Sequence, residues 1–269
     1  MAIGADGQWT LLRLSGFKGQ AMNYSYDIRY FAEGLLNFIY PPRCLVCRKL
    51  LEENAGLCEQ CFEEIRIIED PYCRRCGMPL DPPEAFRGIE SPFCADCRNR
   101  RRPFALARSI GRYEGVLKEC IHLFKYKGRK VILKPIDKLV LLYFPGLFPV
   151  EKISFIVPVP LHRKRLRERE FNQSELVAGI IGSKHGIPVL TDILSRTIYT
   201  SPQVALTRDE RAENVKGAFE AGESSWLPKS NILLVDDVYT TGATACECAR
   251  VLRQAGAESV YIFTLAHDV

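Results

Sequence analysis

No apolar run in this 269-residue chain approaches the roughly 18–20 residues that span a bilayer. The longest candidates, 139–150 and 153–161, are interrupted by Pro145, Pro149, Pro158 and Pro160, so no membrane insertion is expected. Nor do the first residues resemble a secretory leader. The first 21 residues carry Arg13 and Lys18 but no continuous apolar core, which makes a cytoplasmic protein the expectation. The chain has no Gly-x-x-x-x-Gly-Lys-Ser/Thr loop, no Gly-x-Gly-x-x-Gly and no His-Glu-x-x-His, so the commonest nucleotide and metalloprotease signatures are excluded. A large excess of one charge sign is missing too. With 37 basic and 32 acidic residues, the net +5 permits an acidic partner without demanding one. At 47% hydrophobic and 26% charged, the composition is that of a globular protein.

What the chain does have is cysteine. Eight of its 11 cysteines form Cys-x-x-Cys pairs: Cys44 and Cys47, Cys58 and Cys61, Cys73 and Cys76, Cys94 and Cys97. Two intervening residues let both thiolates meet one ion while the turn's amides support the sulfurs, and two such pairs complete a closed tetrahedral zinc shell. Disulfides and an iron–sulfur cluster are the competing readings, and the absence of an export signal disfavours the first. Sequential pairing is the simplest arrangement; interleaved pairing would use the same residues. Arg48, Lys49, Arg74 and Arg75 are placed to offset the excess negative charge of four thiolates. Cys120, Cys246 and Cys248 fall in helical patterns and read as small buried hydrophobes.

Composition divides the chain. Residues 1–27, with Gly4, Gly7, Gly16 and Gly19 and little periodicity, are expected to be a disordered leader, with Met22 as an alternative start. A short helix is expected over 28–43, a double four-cysteine ribbon over 44–103, and a separate domain over 104–269. In the last, apolar strands (105–113, 153–159, 188–194, 232–235, 259–265) alternate with helical patterns (116–124, 135–143, 172–184, 243–254). Uninterrupted apolar strands separated by helices indicate an α/β fold with a doubly wound, mostly parallel sheet. A ligand belongs at the strands' carboxyl ends.

The most informative stretch is Ile232-Leu-Leu-Val-Asp-Asp-Val-Tyr-Thr-Thr-Gly-Ala-Thr244. An apolar strand ends in two acids, and a hydroxyl-rich turn then opens a helix. Thr240, Thr241, Gly242, Ala243 and Thr244 suit a 5′-phosphate, because helix N-terminal amides and hydroxyls donate and glycine permits close approach. Asp236 and Asp237 suit ribose hydroxyls or a magnesium ion. The competing reading is a capped helix with no ligand.

Downstream of residue 160, Arg163, Lys164, Arg165, Arg167 and Arg169 face two acids, which suits pyrophosphate; a solvated helix entry or nucleic-acid patch would look the same. Between residues 196 and 214 lie Arg196, Gln203, Arg208, Arg211 and Asn214. A closing loop could bring Arg211 or Arg208 to a leaving pyrophosphate, whereas Thr207 with Glu210 spells an ordinary capping box.

Taken as a set, these motifs resemble the ComF family. They comprise the paired ribbons, Tyr113-Glu-Gly115, Phe124-Lys-Tyr-Lys-Gly128, Val157-Pro-Val-Pro-Leu161, Phe171-Asn-Gln-Ser174, Gln203 to Arg211-x-x-Asn214 to Ala218-Phe219, and Val235-Asp-Asp-Val-Tyr-Thr-Thr-Gly242. The resemblance spans residues 38–269. It implies two structural zinc ions and a type I phosphoribosyltransferase domain binding phosphoribosyl pyrophosphate (PRPP) with magnesium. It also implies a role in natural transformation, handling single-stranded DNA alongside a DNA-uptake helicase. The alternative is an active phosphoribosyltransferase acting on a nucleobase or amine, with no part in DNA uptake. One position departs from the pattern: Glu170 stands where the family commonly has glycine, which bears on the pyrophosphate segment.

Overall fold

The computed structural model describes residues 41–86, 89, 92–125, 130–200, 207–222 and 227–269. The expected leader and most of the expected 28–43 helix lie outside them. Besides short 3-10 turns, the elements in chain order begin with α1 (Glu59–Glu63), α2 (Ala95–Asn99), β1 (Leu106–Arg112), α3 (Gly115–Phe124) and α4 (Leu133–Tyr143). Next come β2 (Phe155–Pro158), α5 (Arg163–Arg169), α6 (Gln173–His185), β3 (Leu194–Arg196) and α7 (Arg208–Val215). The chain closes with β4 (Phe219–Ala221), β5 (Asn231–Tyr239), α8 (Ala243–Gln254) and β6 (Ser259–His267).

Four strands form a wholly parallel sheet in the order β1-β6-β5-β2. Ile232, Leu233, Leu234 and Val235 are completely buried, because alternate side chains enter two different cores. Leu233, Val235, Phe263 and Leu265 pack with α3, α4 and α6 on one face; Ile232, Leu234, Val260 and Ile262 pack with α8 on the other. Each such side chain contributes about 1.5–3 kcal/mol relative to exposure. The α/β sheet covered on both faces is thus the architecture expected from the apolar strands.

Strand β1 lies at one edge, and the cysteine segments cover it. Ala107 N–H donates to Arg75 O (2.7 Å), Ile68 N–H to Ile110 O (2.9 Å) and Arg112 N–H to Arg66 O (2.8 Å). Glycine is required at this join: a Cβ on Gly111 would lie 2.8 Å from Arg66 O, and one on Gly77 2.8 Å from Ala107 O. The two cysteine clusters straddle the edge. Cys44, Cys58 and Cys61 join the α3/α4/α6 core, whereas Cys73, Cys76 and Cys94 join the α8 core. Pro42–Val269 is one compact unit.

Two local expectations are corrected, and the basic segment takes its helical form. The 188–194 stretch makes only an isolated parallel bridge, Val189 to Ile156; the strand begins at Leu194 and pairs antiparallel with β4 in a separate two-stranded sheet. Pro188 and the lack of alternation explain the short pairing. The basic segment is helix α5, capped by the His162 ring nitrogen, which accepts from Lys164 N–H. Cys246 is half-buried and accepts from Arg102 Nη1 at 3.3 Å, unlike the buried Cys120 and Cys248. Among the described residues no helix is long and apolar enough to cross a membrane.

Candidate functional site

The four cysteine pairs assemble sequentially, Cys44, Cys47, Cys58 and Cys61 in one cluster and Cys73, Cys76, Cys94 and Cys97 in the other. Within each, all four Sγ atoms lie within 4.8 Å of one another. A zinc ion about 2.3 Å from four tetrahedral sulfurs sets those sulfurs about 3.8 Å apart. Cys47 and Cys58 are 3.6 Å apart and Cys76 and Cys94 3.7 Å, close to that spacing and far beyond a disulfide's roughly 2.05 Å. Amides support the sulfurs as the turn geometry requires: Cys61 N–H donates to Cys58 Sγ at 3.4 Å. Burial opposes ionisation of Cys44, yet backbone amides hold it down to about 6, while burial and the neighbouring thiols push Cys61 up. Crowded thiols cannot all ionise without a cation, and the donor sets fit two zinc ions. Of the basic residues expected to offset them, Arg74 is instead paired with Asp70 at 3.3 Å.

At the carboxyl end of the sheet, β5 runs on through the acid pair to Tyr239, further than its apolar core predicts. The turn Thr240–Gly242 then opens α8. Gly242 is its N-cap in the left-handed region, φ 76°, and provides no side-chain acceptor, so first-turn amides face the turn. Thr241 Oγ1 accepts weakly from Ala243 N–H at 3.4 Å.

The acid pair is built by three elements. Asp236 Oδ1 accepts from Ser174 Oγ (3.2 Å) and Asp237 N–H (2.8 Å). Lys125, at the end of α3, pairs with Asp237 Oδ2 at 3.0 Å. Burial, and then the adjacent Asp237 charge, push the Asp236 carboxyl up to about 7. The Phe171–Ser174 motif supplies the scaffold. Buried Asn172 caps α6 by accepting from Ser174 N–H (3.1 Å) and donates to Val159 O (3.0 Å), fixing the exit of β2. Gln173 donates to Phe124 O at 3.4 Å and Phe171 packs on Phe124, holding the end of α3 beside the acids.

Lys125 and Ser174 carried no site role in the sequence reading, although each lies inside a motif of the family pattern. Arg163 and Lys164 are exposed on α5 and Arg165 half-buried. Lys164 and Arg165 lie over the exposed Tyr199 ring at 4.6 and 5.8 Å, and His162 packs against it. Glu170 ends α5 in the left-handed region, φ 67°, donating its N–H to Leu166 O at 2.7 Å. A glycine there serves the helix terminus. Thr207 and Glu210 form the complete capping box of α7, the helix bearing Arg211, which packs on α8. Residues 201–206, including Gln203, lie outside the described residues. Of the basic run before β1, Arg98, Arg100 and Arg101 are exposed, whereas Arg102 is committed inside to Asp96.

A double cysteine ribbon joined to a two-faced parallel α/β sheet defines the class of protein. The family model described as a double zinc ribbon domain matches residues 35–98. The chain is 30% identical over 237 residues to competence protein F of Haemophilus influenzae, covering 86% of this chain and 99% of that protein. It is 30% identical over 229 residues to competence protein ComFC of Bacillus subtilis (80% and 86%), and 29% identical over 235 residues to the DNA utilization protein YhgH of Escherichia coli (85% and 98%). The chain belongs to the ComF family. Partial superpositions on solved structures include two proteins. One is the glutamine phosphoribosylpyrophosphate amidotransferase from B. subtilis complexed with ADP and GMP (21% identity, 40% of this chain, 21% of that chain, TM-score 0.28). The other is adenine phosphoribosyltransferase from Leishmania tarentolae (14%, 56% and 74%, TM-score 0.32).

Proposed function

We propose that this chain acts in the cytoplasm in DNA uptake, handling single-stranded DNA alongside an uptake helicase, and that its β5–α8 turn binds PRPP. The names of its relatives support the first part. The observation that carries the second is the sequence of chemical groups along one turn: two carboxylates, three hydroxyls and a glycine N-cap at a 12-residue helix. Thr240, Thr241, Gly242, Ala243 and Thr244 would hold the 5′-phosphate, and Asp236 and Asp237 the ribose hydroxyls. Arg163, Lys164 and Arg165 would meet the pyrophosphate, with Arg211 brought in by closure. Lys125 already neutralises Asp237, so magnesium is best supplied with the ligand's pyrophosphate, where it normally binds through substrate phosphates and one or two carboxylates.

A groove of about 650 Å³ borders the turn, lined by Arg100 and Arg101, by Lys216 paired with Glu213, and by Arg250 paired with Glu247. It suits a phosphodiester backbone tracked by charge. Calorimetry with PRPP and magnesium, then with oligo-dT, tests both parts; heat from neither would end the reading. The same turn would serve one further reading, phosphoribosyl transfer to a nucleobase or amine. There the ribose C1–pyrophosphate bond breaks, a C1–N bond forms, and the departing pyrophosphate takes the acceptor's proton. Pyrophosphate release that requires such an acceptor would mark it.

A further inference from the structure

The two cysteine clusters differ in what they support. Between the second cluster and the phosphate turn lies a cavity of about 220 Å³, lined by Cys76 and Cys94 on one side and by Tyr239, Thr241, Arg102 and His267 on the other. Tyr239 and His267 are only 4% and 3% exposed, yet Tyr239 Oη and His267 Nε2 have no hydrogen-bond partner among the described residues. Groups of that kind, facing a cavity with room for water, are suited to bridging through it.

Tyr239 is clamped. Its ring packs on His267 at 4.8 Å with the planes tilted by 34° and meets Phe104 edge-on at 6.4 Å, and its carbonyl accepts from Asp268 N–H at 2.8 Å. It also shapes the turn, since a Cβ on Gly242 would overlap the Tyr239 ring. A second link runs through Arg102. Its guanidinium binds the Asp96 carboxylate and donates to Cys246 Sγ on α8 at 3.3 Å. Asp96 lies on α2, five residues long, which starts from Cys94 and contains Cys97. A helix that short does not persist alone, so its geometry depends on the sulfurs being held. The first cluster belongs instead to the α3/α4/α6 core, which reaches the acid pair through Lys125 and Ser174 but, among the described residues, holds none of 239–246. It packs near the start of α4, where a Cβ on Gly56 would lie 3.0 Å from the Pro135 ring, and Lys138 sits over Phe62 at 4.2 Å.

We infer that the second cysteine cluster, through α2, Arg102 and Tyr239, positions the phosphate turn, and that the first cluster does not. Metal held by Cys73, Cys76, Cys94 and Cys97 therefore governs phosphate binding from behind the turn. This rests on the reading of the turn as a phosphate site, but the coupling itself is measurable without ligand.

The test compares Cys97→Ser with Cys47→Ser in the full chain, reading zinc content, amide hydrogen exchange and binding of ribose 5-phosphate. Each variant should lose one zinc ion. In Cys97→Ser, exchange across residues 239–246 should rise about tenfold or more, and affinity should fall by about tenfold. Cys47→Ser should leave both within about twofold, with faster exchange confined to residues 44–68, α3 and α4. Equal responses in the two variants, or a quiet 239–246 segment in Cys97→Ser after zinc loss, overturns the inference. Should Cys97→Ser not fold, Arg102→Gln keeps every cysteine and both zinc ions. It should still quicken exchange at 239–246 while leaving β1 and α3 unchanged, and an unchanged turn again overturns the inference. If the wild type does not bind ribose 5-phosphate, the phosphate reading falls while the exchange comparison still decides the coupling.

Discussion

Lys125 Nζ lies 3.0 Å from Asp237 Oδ2, tying the end of α3 to the inner strand β5 with both side chains largely shielded (26% and 16% exposed). Lys125→Met leaves two adjacent carboxyls without a cation. The variant should lose about 1–3 kcal/mol at pH 8. At pH 5 Asp236 holds its proton and the loss should be smaller. Urea unfolding at the two pH values checks this; equal losses at both would contradict it.

Asp236 gives stability a pH signature of its own. Its folded pKa of about 7 lies above the roughly 4 of an unfolded aspartate. Between those values the folded chain holds a proton that the unfolded chain has released. The contribution of this group therefore falls as pH rises from about 4 to about 7 and is flat above. The stability difference between wild type and Asp236→Asn should slope across that window, and a difference constant in pH would refute the assignment.

Glu170 occupies a left-handed backbone position at φ 67°. Glu170→Gly relieves the Cβ crowding there and should raise stability by roughly 1 kcal/mol. Thermal melting checks the sign. A loss of stability would mean that the contacts of the Glu170 side chain outweigh the backbone cost.

Thr241→Val conserves volume and removes a hydroxyl whose contact inside the protein is a weak one to Ala243 N–H at 3.4 Å. The melting temperature should barely move. PRPP affinity should fall about ten- to a hundredfold, the worth of one hydrogen bond to a charged group. A turn serving only as a helix cap would show the reverse pattern, with stability lost and affinity unmoved.

For DNA, the informative cations are the exposed ones. Arg101→Ala and Lys216→Ala should each weaken oligo-dT binding and flatten the salt dependence by about 0.7 in the log–log slope. Arg102→Ala should act through stability instead, because its guanidinium is bound to Asp96. Affinity indifferent to salt would rule out backbone tracking.

Much of this chain was legible along the sequence because its signals are local. Helix α8 spans the expected 243–254, since Gly242 and Gly256 bracket a helical apolar pattern. The expected helices over 116–124 and 172–184 appear within a residue or so of their bounds, the second beginning at the Asn172 cap. Cys-x-x-Cys spacing declares a metal knuckle within four residues. Helix α5 was harder to read, because one amphiphilic basic turn looks alike as loop and as helix.

Tertiary packing alone decided which cysteine pairs combine, and that the resulting clusters take opposite faces of the sheet across β1. It also decided that Lys125 and Ser174 meet the acid pair, and that Arg102 reaches Cys246, 144 residues away. The physical reason is the range of the forces involved. Periodicity, caps and metal spacing act between near neighbours in the chain and leave their mark in order. A parallel sheet brings distant segments to one strand end, and which side chains meet there follows from register and face, which no short stretch of sequence contains.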